Sequence, residues 1–180
     1  MRLVAFVVGL VVLSGCADES ARPVLGPPPE TVAGQPAPTT TGVDATAGLI
    51  PLDGFDVATL RVINGTETTE LPVLLADTIE RRRQGLMGVT DLGEFAGMVF
   101  VFDGDTEAVF WMRNTPMPLS IAFVRADGSI VSFSDMEPCA DVPDCPSYPP
   151  QGPYRFAVEV PQGRFGNLRI GPATLLGVDF

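Results

Sequence analysis

The residues best suited to hold a ligand fall in two short stretches, Gly85-Leu86-Met87 and Phe110 to Thr115. Trp111 offers a stacking face, Arg113 and Asn114 offer directed hydrogen bonds, and Thr115 offers a hydroxyl. Met87 beside Gly85 supplies an adaptable apolar wall. Together they describe a shallow cleft for a saccharide, peptide or lipid fragment. Packing is the competing role. Tryptophan is common in cores as well as sites, and Asn114-Thr115-Pro116 also reads as a capped turn leaving a strand.

Catalysis has fewer candidates. The chain contains no histidine, which removes the commonest general base and every Ser-His-Asp or Cys-His arrangement. Asp135 and Glu159 remain as an acid and base pair, provided neighbouring strands bring both side chains into one cleft. The alternative for Glu159 is a surface ion pair with Arg155, of little energetic weight. Met87, Met112 and Met117 carry thioethers, which suit Cu(I), although methionines more often pack. No other metal and no cofactor is expected, and binding or interaction is favoured over catalysis.

Charge narrows the partners. Among 180 residues there are 22 acids and 11 bases, all of them arginine, for a formal net charge of -11. Nucleic acid and anionic membrane surfaces both reward clustered cations, so neither is an expected partner. The cluster Arg81-Arg82-Arg83 is too short to reverse that balance, and its plain role is to favour the dipole at the end of a helix.

At the N-terminus Arg2 precedes the apolar run Leu3 to Leu13, which ends in Leu13-Ser14-Gly15-Cys16. This resembles a bacterial lipoprotein signal peptide with its lipobox, and the run is too short to span a bilayer comfortably. The resemblance implies cleavage before Cys16 and acylation of that cysteine, which leaves the protein extracytoplasmic and lipid-anchored to a bacterial membrane. The expected organisation is therefore a signal peptide over 1–15, a Pro/Thr/Ala-rich disordered tether over 16–54, and a β-rich domain over 55–180. An envelope glycan, peptide or protein is the expected partner beyond the membrane itself.

Short apolar runs separated by turn signals every eight to twelve residues make that domain all-β, a mainly antiparallel sandwich or barrel-like fold with one or two short helices. Strands are expected at Thr59 to Ile63, Thr66 to Leu75, Gly97 to Phe102, Glu107 to Met112, Leu119 to Val124, Ile130 to Met136, Tyr154 to Val160 and Thr174 to Phe180. Asn64-Gly65 and Asp103-Gly104-Asp105 mark hairpin turns. Asp77 and Glu80 resemble a capping box opening a helix from Thr78 to Gln84, with Gly85 closing it. Phe156, Val158 and Val160 alternate with Arg155, Ala157 and Glu159, which predicts one wet face for that strand. Met98, Phe100, Phe110, Met112, Leu119, Ile121 and Phe123 are assigned to the core, and Pro116 and Pro118 to the turn that aims residues 111–115. In an oxidising compartment Cys139 and Cys145 are expected to pair as a disulfide.

Taken in order, Glu80 to Gly88, Gly97 to Phe100, Phe110-Trp111-Met112-Arg113-Asn114-Thr115, the segment from Pro138-Cys139 to Tyr148, and Arg155 to Gly163 resemble one family. It is domain of unknown function 192, found in bacteria and archaea and sometimes as lipoproteins. The resemblance covers roughly residues 57–180 and implies a compact β-rich domain without an assigned activity. The family's motif usually continues through Pro-Leu-Asp-Ile. Here the matching residues are Pro118-Leu119-Ser120-Ile121, so Ser120 stands where the family carries a carboxylate.

Overall fold

The computed structural model describes residues 52–180; the signal-peptide and Cys16 readings, and most of the tether, lie outside them. Nine strands and two short helices follow in the order β1 (Asp56–Asn64), β2 (Glu67–Ala76), α1 (Ile79–Gln84), β3 (Met98–Thr106), β4 (Phe110–Trp111), β5 (Leu119–Val124), β6 (Ile130–Met136), β7 (Ser147–Tyr148), β8 (Tyr154–Pro161), α2 (Arg164–Asn167) and β9 (Leu175–Asp179). Seven of the strands form one sheet in the order β6-β5-β8-β3-β2-β1-β9, and β4 pairs with β7 in a small second sheet. The described residues are thus all-β with two short helices. Every pairing is antiparallel except β2 with β3. A parallel pair needs a long crossover, and the 77–97 connection carrying α1 supplies it.

The large sheet is apolar on both faces. Leu60, Val62, Val73, Val99, Val124, Val158 and Leu176 join Phe165 of α2 in one buried cluster, around which the sheet curls. Its two ends touch without closing a barrel: Leu176 N–H donates to Gly128 O at 2.9 Å, beside an isolated bridge from Ser129 to Leu175. A side chain at Gly128 would meet the Leu176 carbonyl at 2.5 Å, so glycine is what lets the β5–β6 turn dock there. On the opposite face Leu74, Met98, Phe100, Ile121, Phe123 and Met136 are covered by Leu86, Leu92, Phe95 and Met112 from the loops. Both sides of β5 and most of β8 are consequently buried.

Several expectations are corrected. The β1–β2 turn is Gly65-Thr66 rather than Asn64-Gly65, because Asn64 still pairs with Glu67. The Asn64 amide group instead donates to Arg169 O and accepts from Thr174 Oγ1. Asp103-Gly104-Asp105 continues strand β3 instead of turning, and the segment after it gives only the two-residue β4, which pairs with β7. The helix cap is Thr78, whose hydroxyl accepts from Arg81 N–H, while Asp77 forms an ion pair with Arg81 at 2.9 Å. The wet face predicted for β8 does not exist: Ala157 is fully buried, Glu159 is 4% exposed, and Arg155 pairs with Asp105. Flanking strands β3 and β5 are apolar on both sides, so a strand between them has no solvent-facing side.

Candidate functional site

The site is a cleft of about 260 Å³ between α1, the loop after it, and β3–β4. Helix α1 has six residues, too few to stand alone, so tertiary ties must hold it. Arg81 supplies them with ion pairs to Asp56 and Asp77 and a hydrogen bond to Gly54 O. Arg82 donates to Asp77 O and Val101 O, and its guanidinium lies 4.9 Å from the Phe102 ring centre. The arginine run thus does more than complement the helix dipole. Arg83 is exposed, lines the cleft, and has no side-chain hydrogen bond or ion pair among the described residues.

The opposite wall rests on aromatic contacts. Phe100 meets Phe110 edge to face at 5.0 Å, Phe110 meets Phe123, and Phe123 meets Tyr154, which in turn meets Phe102. Each such contact adds about 0.5–1.5 kcal/mol beyond burial. The Tyr154 hydroxyl donates to Ala108 O at 2.9 Å and pins the segment that leads into β4. Burial raises the pKa of this phenol, so it remains a donor at any physiological pH.

Glu159 forms part of the lining. Its neighbours across the sheet are Met98 on β3 and Ile121 on β5, and its carboxyl makes no hydrogen bond or ion pair among the described residues. Burial pushes the carboxyl up to about 8, because an apolar surround penalises the charged form. At neutral pH it is a neutral group able both to donate and to accept. The mouth is apolar: Ile79, Val109 and Trp111 are 56%, 56% and 57% exposed, and all three line the cleft.

The sequence candidates divide. Gly85, Met87, Trp111 and Thr115 line the cleft. The two stretches that carry them are joined by Gly88 N–H donating to Asn114 O at 2.8 Å. Arg113 and Asn114 do not line it. Arg113 pairs with Asp141 inside the disulfide loop, and Asn114, at φ 54°, sits in a turn where Thr115 N–H donates to Met112 O. Asn114 borders a separate shallow depression beside Pro138 and Cys139. The Cys139–Cys145 disulfide is present. Phe110 and Met112 both pack with the core cluster, and Phe110 also reaches the cleft.

Asp135 and Glu159 do not form an acid and base pair. Asp135 accepts from Ser120, whose side chain alternates with that of Ile121, the cross-strand neighbour of Glu159. The two carboxyl groups therefore lie on opposite faces of the sheet. Of the three methionines proposed for copper, Met112 is fully buried in the apolar cluster, Met117 packs partly against it, and Met87 lines the cleft. Sequence reasoning missed Arg83, Ile79 and Val109 as cleft residues, and it assigned Glu159 the wrong surroundings. The available signal was a lone acid in the run Phe156-Ala157-Val158-Glu159-Val160, which is otherwise apolar.

Two solved structures share this fold. One is a candidate transcription regulator from Sinorhizobium meliloti 1021, at 25% identity and a TM-score of 0.59, covering 73% of this chain and 98% of its own. The other is a protein of unknown function from Novosphingobium aromaticivorans DSM 12444, at 29% identity and 0.65, covering 76% and 98%. No curated protein matches the chain. The family model DUF192, described as "Uncharacterized ACR", matches residues 61–177, a span that contains the whole cleft from Ile79 to Glu159. With both halves of the motif set and the buried acid inside that match, the chain belongs to the DUF192 family.

Proposed function

We propose that this protein is an extracytoplasmic binding module, lipid-anchored to a bacterial membrane through Cys16, whose ligand occupies the cleft over Glu159. One observation carries the binding half: the carboxyl of Glu159, a residue 4% exposed, without a partner among the described residues, in the lining of an otherwise largely apolar cleft. The carboxyl faces the cleft, where a ligand group that pairs with it gains a hydrogen bond shielded from solvent. The exposed ring of Trp111 at the mouth adds a stacking surface. Anchoring rests on Arg2, the apolar run to Leu13 and the Leu-Ser-Gly-Cys box.

The other roles have less support. A carboxylate hydrolase loses its base once Asp135 lies on the opposite face. The transcription role named for the Sinorhizobium protein sits poorly with a net charge of -11 and no lysine. Copper would have to draw Met112 out of a dry core.

A fragment screen by amide chemical-shift mapping tests the binding half. Hits should cluster at Gly85 to Met87, Phe110, Trp111, Thr115 and Glu159, and hits scattered over the sheet would sink it. Anchoring is tested separately by metabolic acyl labelling, which Cys16→Ala should abolish together with recovery in the membrane fraction.

A further inference from the structure

We infer that the ligand of this cleft is an apolar carboxylate, bound with its carboxylate against Glu159 and its hydrocarbon body running out over Ile79, Val109 and Trp111. The inference rests on the binding reading above and names the class of molecule. Three features of the lining support it.

Among the described residues Glu159 has no hydrogen-bond or ion-pair partner, so a polar group on a ligand in the cleft can pair with it. That group sees a local charge opposite to that of the whole protein. Among the described residues, Arg82 and Arg83 of α1 are the only charged side chains in the lining besides Glu159. Strands β3 and β4 contribute Phe100, Phe102, Phe110 and Trp111, and Thr115 contributes a hydroxyl. With Glu159 protonated, the lining carries two positive charges and no negative one. Arg82 uses Nη1 on two carbonyls, and Arg83 has no hydrogen bond or ion pair among the described residues, so its guanidinium can meet an anion. An ammonium ligand would face both guanidiniums, whereas a carboxylate accepts the Glu159 proton in a charge-assisted hydrogen bond.

Size and mouth agree. At about 30 Å³ per water-sized group, 260 Å³ holds roughly nine such groups, and anything longer must lie across the rim. The rim holds three of the exposed large apolar side chains of the described residues, arranged around one opening. A free acyl acid and the C-terminus of a peptide with an apolar last residue share this chemistry.

Trp111 is the only tryptophan, so its emission reports the mouth alone, and calorimetry gives an independent reading. Octanoate, octan-1-ol and octylamine, together with acetyl-Ala-Ala-Leu as free acid and as amide, are titrated into the protein. Octanoate or the free-acid peptide should saturate, and whichever binds more tightly identifies the source. The alcohol, amine and peptide amide should bind at least about tenfold more weakly, equivalent to about 1.4 kcal/mol. Carboxylate affinity should fall as pH rises above about 8 in the native protein and stay level in Glu159→Gln, which keeps a neutral donor. Arg83→Ala should weaken octanoate but not octanol. Octanol binding as tightly as octanoate would leave the cleft reading standing and overturn the carboxylate. Affinity for octanoate independent of pH would overturn the contact with Glu159. Absence of both heat and emission change for every probe would overturn both readings.

Discussion

Gly97 and Glu159 meet backbone to backbone: a Cβ on Gly97 would stand 1.9 Å from the Glu159 carbonyl oxygen. No flexible side chain can yield there, because the obstructing atom belongs to central strand β8. Gly97 also accepts from Leu74 N–H at 3.0 Å, so it joins β2 to the strand that carries the buried acid. Gly97→Ala should cost about 1–3 kcal/mol or more by forcing the strands apart. The midpoint of urea unfolding measures it, and a change within experimental error would show that the approach relaxes freely.

The carboxyl of Glu159 gives stability a distinctive pH dependence. Its pKa is about 8 folded against 4.5 for the unperturbed group, so between those values the folded state binds a proton that the unfolded state has released. Stability from this group is full below about 4.5 and declines as pH rises to about 8, with a limiting slope of about 1.4 kcal/mol per pH unit. Above 8 the slope vanishes. Glu159→Gln should flatten the window from pH 6 to 8. Urea midpoints across that window decide it, and parallel curves for the two proteins would contradict the burial argument.

How much of this was legible depends on whether a residue's neighbours lie close in sequence. Strands Leu119–Val124 and Ile130–Met136 follow from local alternation and turn residues, and the structure places them at those bounds. The disulfide also followed from two cysteines in one short loop. Glu159 was misread because its burial comes from β3 and β5, which are distant in the chain. Arg155 and Glu159 look alike on the alternation of β8, yet the first reaches Asp105 and the second lines the cleft. Trp111 could not be assigned from alternation either, since its exposure follows from β4 pairing with β7 instead of β3. Arg83 differs from Arg81 and Arg82 in having no tertiary partner among the described residues, which no local pattern encodes.

The Cys139–Cys145 link supports the site from behind. Cys139 bridges to both Arg113 and Thr115, Asp141 within the loop pairs with Arg113, and Tyr148 just beyond it pairs with Phe110. Chain entropy puts the loss of so short a loop at about 2 kcal/mol. Cys139→Ser/Cys145→Ser should therefore lower the urea midpoint and also shift Trp111 emission, since Trp111 pairs with Ser147 in that segment. Loss of stability with unchanged emission would mean that the loop does not hold the tryptophan.

Ser120 and Asp135 present a final relationship that the sequence resemblance makes testable. The family usually carries an acid where this chain has Ser120, and here the cross-strand neighbour of that position is Asp135. Ser120 is 3% exposed, donates to Asp135, and accepts from Gly163 N–H at 3.2 Å. An acid at either position can receive the Gly163 contact or the cross-strand hydrogen bond, but two acids so close cannot both ionise cheaply. Ser120→Asp alone should cost about 1–3 kcal/mol at neutral pH and less in acid, where one carboxyl is protonated. Ser120→Asp/Asp135→Ser moves the carboxylate across the strand pair, and most of that loss should return. A double-mutant cycle from urea unfolding at pH 7 reads the coupling directly. Additive losses would show that the two positions do not share one charge, and that Ser120 here is packing alone.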